Sequence, residues 1–192
     1  MTPIPIKLLH PDAQIPKYQT ASASGMDLCA LSVARVQKNS FTVHRETSNF
    51  TSESVGSSTI EIEAESRLYV MPRCRVLIGT GVSLSIPPGY EGQIRPRSGW
   101  ALKDGVTVLN SPGTIDSDYK GEIKVLLINL GHESVEIKRG ERIAQLVIAP
   151  VVKAELVLVD DLETSARGDS GFGSTGKAIN MDYRPDEVGD WQ

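Results

Sequence analysis

The densest group of residues able to do chemistry is ARGDSGFGSTGK, residues 166–177. Its glycines let main-chain N–H groups point at anionic oxygens, and Ser174 and Thr175 add hydroxyl donors. Arg167 adds a two-pronged guanidinium, and Phe172 a flat face able to stack on a base. That combination suits a flexible, anion-binding lid. Two other readings compete. Gly171, Gly176 and Lys177 approach the spacing of a Walker A phosphate loop, but Ala178 stands where that loop needs a metal-binding hydroxyl. Arg167-Gly168-Asp169 also spells an adhesion tripeptide, on three residues alone. A plain Gly/Ser linker is the bland alternative, and it leaves Arg167 and Phe172 without a reason.

Three further groups are smaller. In RPRSGWALK (95–103), Arg97 and Ser98 sit where a strand gives way to a short helix, and a helix N-terminus favours anions. A simple Ser cap beside a surface Arg explains the same residues. In NSPGTIDSDYKGEI (110–123), turn residues flank Ile115 and Asp116. A hairpin rich in Gly and Pro exposes main-chain donors and acceptors suited to the edge of a flat base, and Asp116 could hold a water. The alternative is an ordinary hairpin with a solvated Asp. In SGMDLCA (24–30), Asp27 lies in a small, apolar setting and could be a turn Asp. His10, His44 and His132 are far apart, and no GxSxG elbow occurs, so neither a His/Cys metal cluster nor an activated nucleophile is visible.

The elements that must position these residues are short strands. The chain has 192 residues, enough for one domain or one domain plus an arm. It is 40% hydrophobic but 5% aromatic, so its core must be aliphatic, and Val, Ile and Leu in such numbers favour strands. Its 17 Gly and 11 Pro supply the turns. Alternation predicts strands in 4–9, 67–87, 90–96, 107–110, 122–131, 134–138, 141–150 and 153–159, with 98–105 as the one short helix. The fold class is therefore all-β, a sandwich or barrel. Residues 45–59 are Ser/Thr-rich and read as a loop or hairpin tip, and the acidic, Gly-rich residues 160–192 as an arm without its own core. A net charge of −4 argues against a nucleic-acid-binding stripe. Cys29 and Cys74 make no disulfide framework, and no segment is apolar for the ~18 residues a membrane helix needs. A cytoplasmic or nuclear protein with reduced thiols is the expectation, with neither nucleic acid nor membrane as partner.

Taken in order, SGMDL, RPRSGWA, NSPGTIDSDYKGEI, RGERIAQLV (139–147) and RGDSGFGSTG resemble the five motifs of the trimeric dUTP pyrophosphatases. Five motifs in sequence from Ser24 to Gly176 are far more specific than any one of them. The resemblance implies a distorted jelly-roll barrel with one short helix. It implies a homotrimer whose sites are shared between subunits, and a mobile C-terminal arm that closes over a neighbour's site. It implies hydrolysis of dUTP to dUMP and pyrophosphate, which limits uracil in DNA and supplies dUMP for thymidylate synthesis.

It also implies roles. Asn110, Gly113, Thr114, Ile115 and Lys124 would line the uracil pocket, several through main chain, and Tyr119 would pack under the sugar and exclude a 2′-hydroxyl. Fixed hydrogen bonds of this kind reject a mismatched base by ~10⁴ or more. Asp116 would orient the water that attacks the α-phosphorus in line. Mg²⁺ would clamp the phosphates, with Asp27 holding the ion through water. Arg97, Ser98, Gly99 and Gln145 would grip the phosphates. On closure, Phe172 would stack on uracil, and Arg167, Gly173, Ser174 and Thr175 would reach the phosphates.

Departures are few. Ser170 stands where the family has Gly, so a positive φ there would make closure less favourable by roughly 1 kcal/mol. Trp100 and Met26 are mild changes. The span from Asp27 to Arg97 is longer than the family core, which places a surface insertion within 34–66, and the tail after Gly176 is also long. The expected organisation is a β domain over 1–164 and an arm over 165–192. Two alternatives share the fold: a dCTP deaminase, which TIDSDY argues against, and a nucleotide-dependent regulator using the 34–66 segment as its partner surface.

Overall fold

Alternation of apolar and polar side chains decides the architecture. In β13 (Lys124–Asn129), every second residue is buried, with Val125, Leu127 and Asn129 turned inward. Period-two burial of this kind is what a half-buried strand requires. The computed structural model describes residues 2–36, 41–44, 49–51, 60–61, 67–171 and 174. The chain divides into two units, residues 1–153 and 154–192.

The regular structure described in the first unit is strand apart from one short helix, and every described strand pair is antiparallel. β12 (Gly113–Ile115), β10 (Tyr90–Arg95), β15 (Arg142–Pro150) and β2 (Met26–Cys29) form one sheet in that order. A second sheet runs β11 (Val106–Val108), β13, β8 (Arg75–Gly79), β3 (Ser32–Val36) and β6 (Ile60–Glu61). A third runs β14 (Val135–Lys138), β7 (Arg67–Val70), β4 (Phe41–His44) and β5 (Asn49–Thr51), and β1 (Ile6–Leu8) pairs with β9 (Val82–Leu84). The core is aliphatic, as composition requires: Leu28, Leu68, Val76, Ile78, Ile123, Leu127, Ile137, Ile143 and Leu146 are its largest fully buried side chains among the described residues. One short helix, α1 (Ser98–Lys103), follows β10. It ends at Asp104 and Gly105; Gly105 has φ +68°, and a Cβ there would lie 2.8 Å from the Gly131 amide nitrogen, so no other residue fits without a shift.

The expected insertion within 34–66 contributes β4, β5 and β6. Of the stretch 45–59, residues 49–51 form β5 and the rest lies outside the described residues. The strand expected over 153–159 is not formed. Residues 151–159 have no regular structure, and Leu156 and Leu158 are 95% and 99% exposed. Alternation alone does not make a strand; its main chain needs a hydrogen-bonded partner, and no described strand pairs with this one. No described helix is long and apolar enough to cross a membrane.

Candidate active site

Two groups of the sequence-predicted residues form around the four-stranded sheet. The first centres on Asp27 in β2. Its side chain is 14% exposed, and its two oxygens face two guanidinium groups. Arg142 Nη1 donates to Oδ2 at 3.0 Å, and Arg97 Nε lies 3.8 Å from Oδ1. Arg97 also donates from Nη1 to the main-chain oxygen of Arg142 at 2.8 Å. Gln145 is the cross-strand partner of Asp27, and its Nε2 donates to the Pro96 carbonyl at 2.9 Å. Gly25 makes room for that carboxamide, since a Cβ there would come within 2.5 Å of Gln145 Oε1.

Ser98 and Gly99 open α1 beside this group, both exposed, and the space over Gly99 is clear. The residue in the cap position of α1 is Arg97, in extended conformation and with no side-chain cap bond. A Ser cap therefore does not account for this segment; the Arg97 side chain is committed to Asp27 and Arg142. Arg142 was not singled out from the sequence. Its signal lies in a bulge: Arg142 faces Cys29 while Ala144 faces Leu28, so β15 carries one extra residue there. Ile143 and Ala144 both turn inward. In a regular strand, residues three apart point to opposite faces; the bulge puts Arg142 and Gln145 on the same face as Asp27.

A cavity of about 350 Å³ opens beside Asp27, lined also by Gln14, Lys17, Cys29 and Arg142. Burial raises the Cys29 thiol above its ordinary value, and the Asp27 carboxylate adds to this; Arg142 and Arg97 pull the other way.

The second group is the 110–119 hairpin. Gly113 and Ile115 in β12 pair with Ile94 and Gly92 of β10. β12 is the edge of its sheet, with no described strand on its outer side. Asn110 and Thr114 are exposed, and Asp116 stands exposed just past the strand. The Tyr119 amide donates to the Asp116 carbonyl at 3.1 Å. Tyr119 Oη donates to the Glu122 carbonyl at 3.0 Å. Lys124 lies at the start of β13 in the other sheet, with Nζ 3.5 Å from Glu122 Oε2.

The two groups do not meet within one chain. Asp27, Gln145 and Arg95 share one row of the sheet, and Ile115 and Gly92 another. Three strand spacings and three residues separate Asp27 from Ile115, about 14 Å across and about 10 Å along, so about 17 Å in all. In the second unit, Arg167 Nε donates to the Ser170 carbonyl at 2.9 Å and the Ser174 amide to Gly171 at 3.1 Å. Gly168 has φ +56°, and Ser170 is not among the described residues of positive φ. Phe172, Gly173 and Thr175 lie outside the described residues.

No group of three His, Cys, Asp or Glu suited to a metal occurs among the described residues. That excludes an all-protein cage there but fits Mg²⁺ as it is held with nucleotides, by phosphates, waters and one or two carboxylates.

Comparison with known proteins identifies the family. A dUTPase family model matches residues 45–176. A deoxyuridine 5'-triphosphate nucleotidohydrolase of Methylocella silvestris is 52% identical over 167 residues, covering 87% of this chain and 86% of its own. That of Nautilia profundicola is 48% identical over 172 residues, covering 90% and 97%. The fold matches a variant of the Staphylococcus bacteriophage 80alpha dUTPase solved with dUpNHpp, at TM-score 0.67 and 25% identity, over 92% of this chain and all of that one. With a family model over most of its length and relatives identical at half their positions, the chain belongs to the dUTPase family.

Proposed function

We propose that this enzyme hydrolyses dUTP to dUMP and pyrophosphate, by in-line attack on the α-phosphorus of a water oriented by Asp116. The observation that carries the reading is the outer edge of β12. An edge strand presents a row of main-chain N–H and C=O groups, and here that row ends at an exposed carboxylate. A pyrimidine edge fits the row. Buried main-chain groups left unpaired make a cytosine edge costly, and a close-set hairpin leaves no room for a thymine methyl. Tyr119, held by Glu122, supplies the surface under the sugar.

Arg97, Ser98, Gly99 and Gln145 take the phosphates, and Arg167, Ser174 and Thr175 of the arm reach them on closure while Phe172 covers the base. Closure excludes bulk water and fixes the reacting geometry. Magnesium, when bound with the triphosphate, supplies neutralisation of the charge on the phosphate oxygens; Asp27 holds it through water. The ~17 Å between Asp27 and Ile115 supports sites shared between subunits of a trimer. Removal of dUTP keeps uracil out of DNA and yields dUMP for thymidylate synthesis.

The test is a product assay with Mg²⁺ and, separately, dUTP, dCTP, dTTP and UTP, with Asp116→Ala alongside. The expected result is dUMP and pyrophosphate from dUTP alone, with kcat of the variant lower by about 10²–10⁴. Consumption of dCTP to a uracil nucleotide would replace this reading by a deaminase.

A further inference from the structure

Arg142 is the residue at which the phosphate-facing group is tied together. Its guanidinium donates to Asp27 at 3.0 Å, and its main-chain oxygen accepts from Arg97 at 2.8 Å. Arg97 in turn lies 3.8 Å from the other Asp27 oxygen, which closes a three-residue ring. Such a ring needs both the side chain and the carbonyl of residue 142 beside β2, and the bulge between Arg142 and Ala144 places them there. Without the extra residue, Arg142 and Gln145 would face opposite sides of the sheet.

We propose that Arg142 is a positioning residue for the triphosphate. It fixes the Asp27 carboxylate and the Arg97 guanidinium relative to each other before the nucleotide arrives. This rests on the dUTP reading above. Groups held in place before binding lose less freedom when the ligand arrives. Arg97 has five donors, of which Nη1 is used on Arg142 and Nε faces Asp27. Its remaining donors are fixed in position and direction by the planar group, the state a phosphate grip needs. Since Arg142 acts through Asp27, the effects of removing either should overlap.

The measurement is a double-mutant cycle of Arg142→Gln and Asp27→Asn. It is read by steady-state kinetics on dUTP and by calorimetric binding of dUpNHpp with Mg²⁺, which stays measurable if turnover is lost. We expect Arg142→Gln to raise KM about tenfold with kcat within about threefold. The double variant should bind no more weakly than Asp27→Asn alone, and Arg142→Lys, which keeps the charge, should come within about threefold of the parent. Thermal melting checks that each variant folds, and Arg142→Met takes the place of Arg142→Gln if the latter does not. Additive losses, an unchanged KM in the neutral variant, or a Lys variant as weak as the Gln variant would each overturn the assignment while parent turnover of dUTP leaves the functional reading standing. A parent without dUTP turnover would overturn both.

Discussion

Tyr119 and Gly121 are the pair at which the proposed discrimination against a 2′-hydroxyl can be tested. The Tyr119 ring lies over Gly121 so closely that a Cβ at 121 would meet Oη at 2.5 Å and Cζ at 2.6 Å. The ring is held there by the bond from its hydroxyl to the Glu122 carbonyl. Gly121→Ala must therefore move the ring from this position. The expected outcome is a modest rise in KM for dUTP and a fall of about tenfold in the preference for dUTP over UTP, measured as a ratio of kcat/KM values. An unchanged ratio would show that the ring does not exclude the 2′-hydroxyl. At this scale the sequence was informative where a residue type carries its chemistry openly. Asp27, Arg97, Gln145 and Asp116 could be named from motifs. Arg142 could not: its place on the Asp27 face depends on a bulge, and a period of two, read straight, assigns it to the other side. In the arm it is Gly168 that takes a positive φ, +56°; the cost assigned to Ser170 concerns the closed arm.

Elements in this protein are short, so their junctions are secured by side chains as well as by ladders. Asn129, the last residue of β13, is fully buried and uses its whole amide. Nδ2 donates to the carbonyls of Val70 at 3.0 Å and Glu133 at 2.8 Å, and Oδ1 accepts from the Gly131 amide at 2.9 Å. It thereby joins the end of β7 to the turn that leads into β14. Asn129→Leu keeps the branched shape but removes the partner of one buried and two part-buried main-chain groups. A loss of about 2–4 kcal/mol is expected, read as a lower urea midpoint at unchanged slope; a loss below about 1 kcal/mol would show that water replaces the amide. The strands themselves were legible because burial follows alternation, in β13 as in β7 and β8. The segment 153–159 alternates as well and forms no strand, because pairing is decided by a neighbour and not by the segment's own residues. Helix length was overread for a related reason: Gly105 at φ +68° closes α1 from outside, against Gly131.

For the molecule as a whole, the decisive quantity is the distance between its two chemical groups. Asp27 and Ile115 lie about 17 Å apart on one sheet, and the intervening strands β15 and β10 are continuous through Gly92–Arg95. Bringing Asp116 to Gln145 within one chain would require breaking that ladder. Joining the hairpin of one subunit to the Asp27 group of another requires only a head-to-tail contact that closes into a ring. This difference can be measured by mixing two inactive variants, Asp116→Ala and Gln145→Ala, refolded together from denaturant in equal amounts. If each site draws on two subunits, random assembly leaves roughly a quarter of the sites with both groups intact. About that fraction of parent turnover is then expected from the mixture, against almost none from either variant alone. A mixture as inactive as its components, in assemblies shown by native mass to contain both chains, would mean that each chain builds its own site; the ladder between Asp27 and Ile115 would then have to open during catalysis.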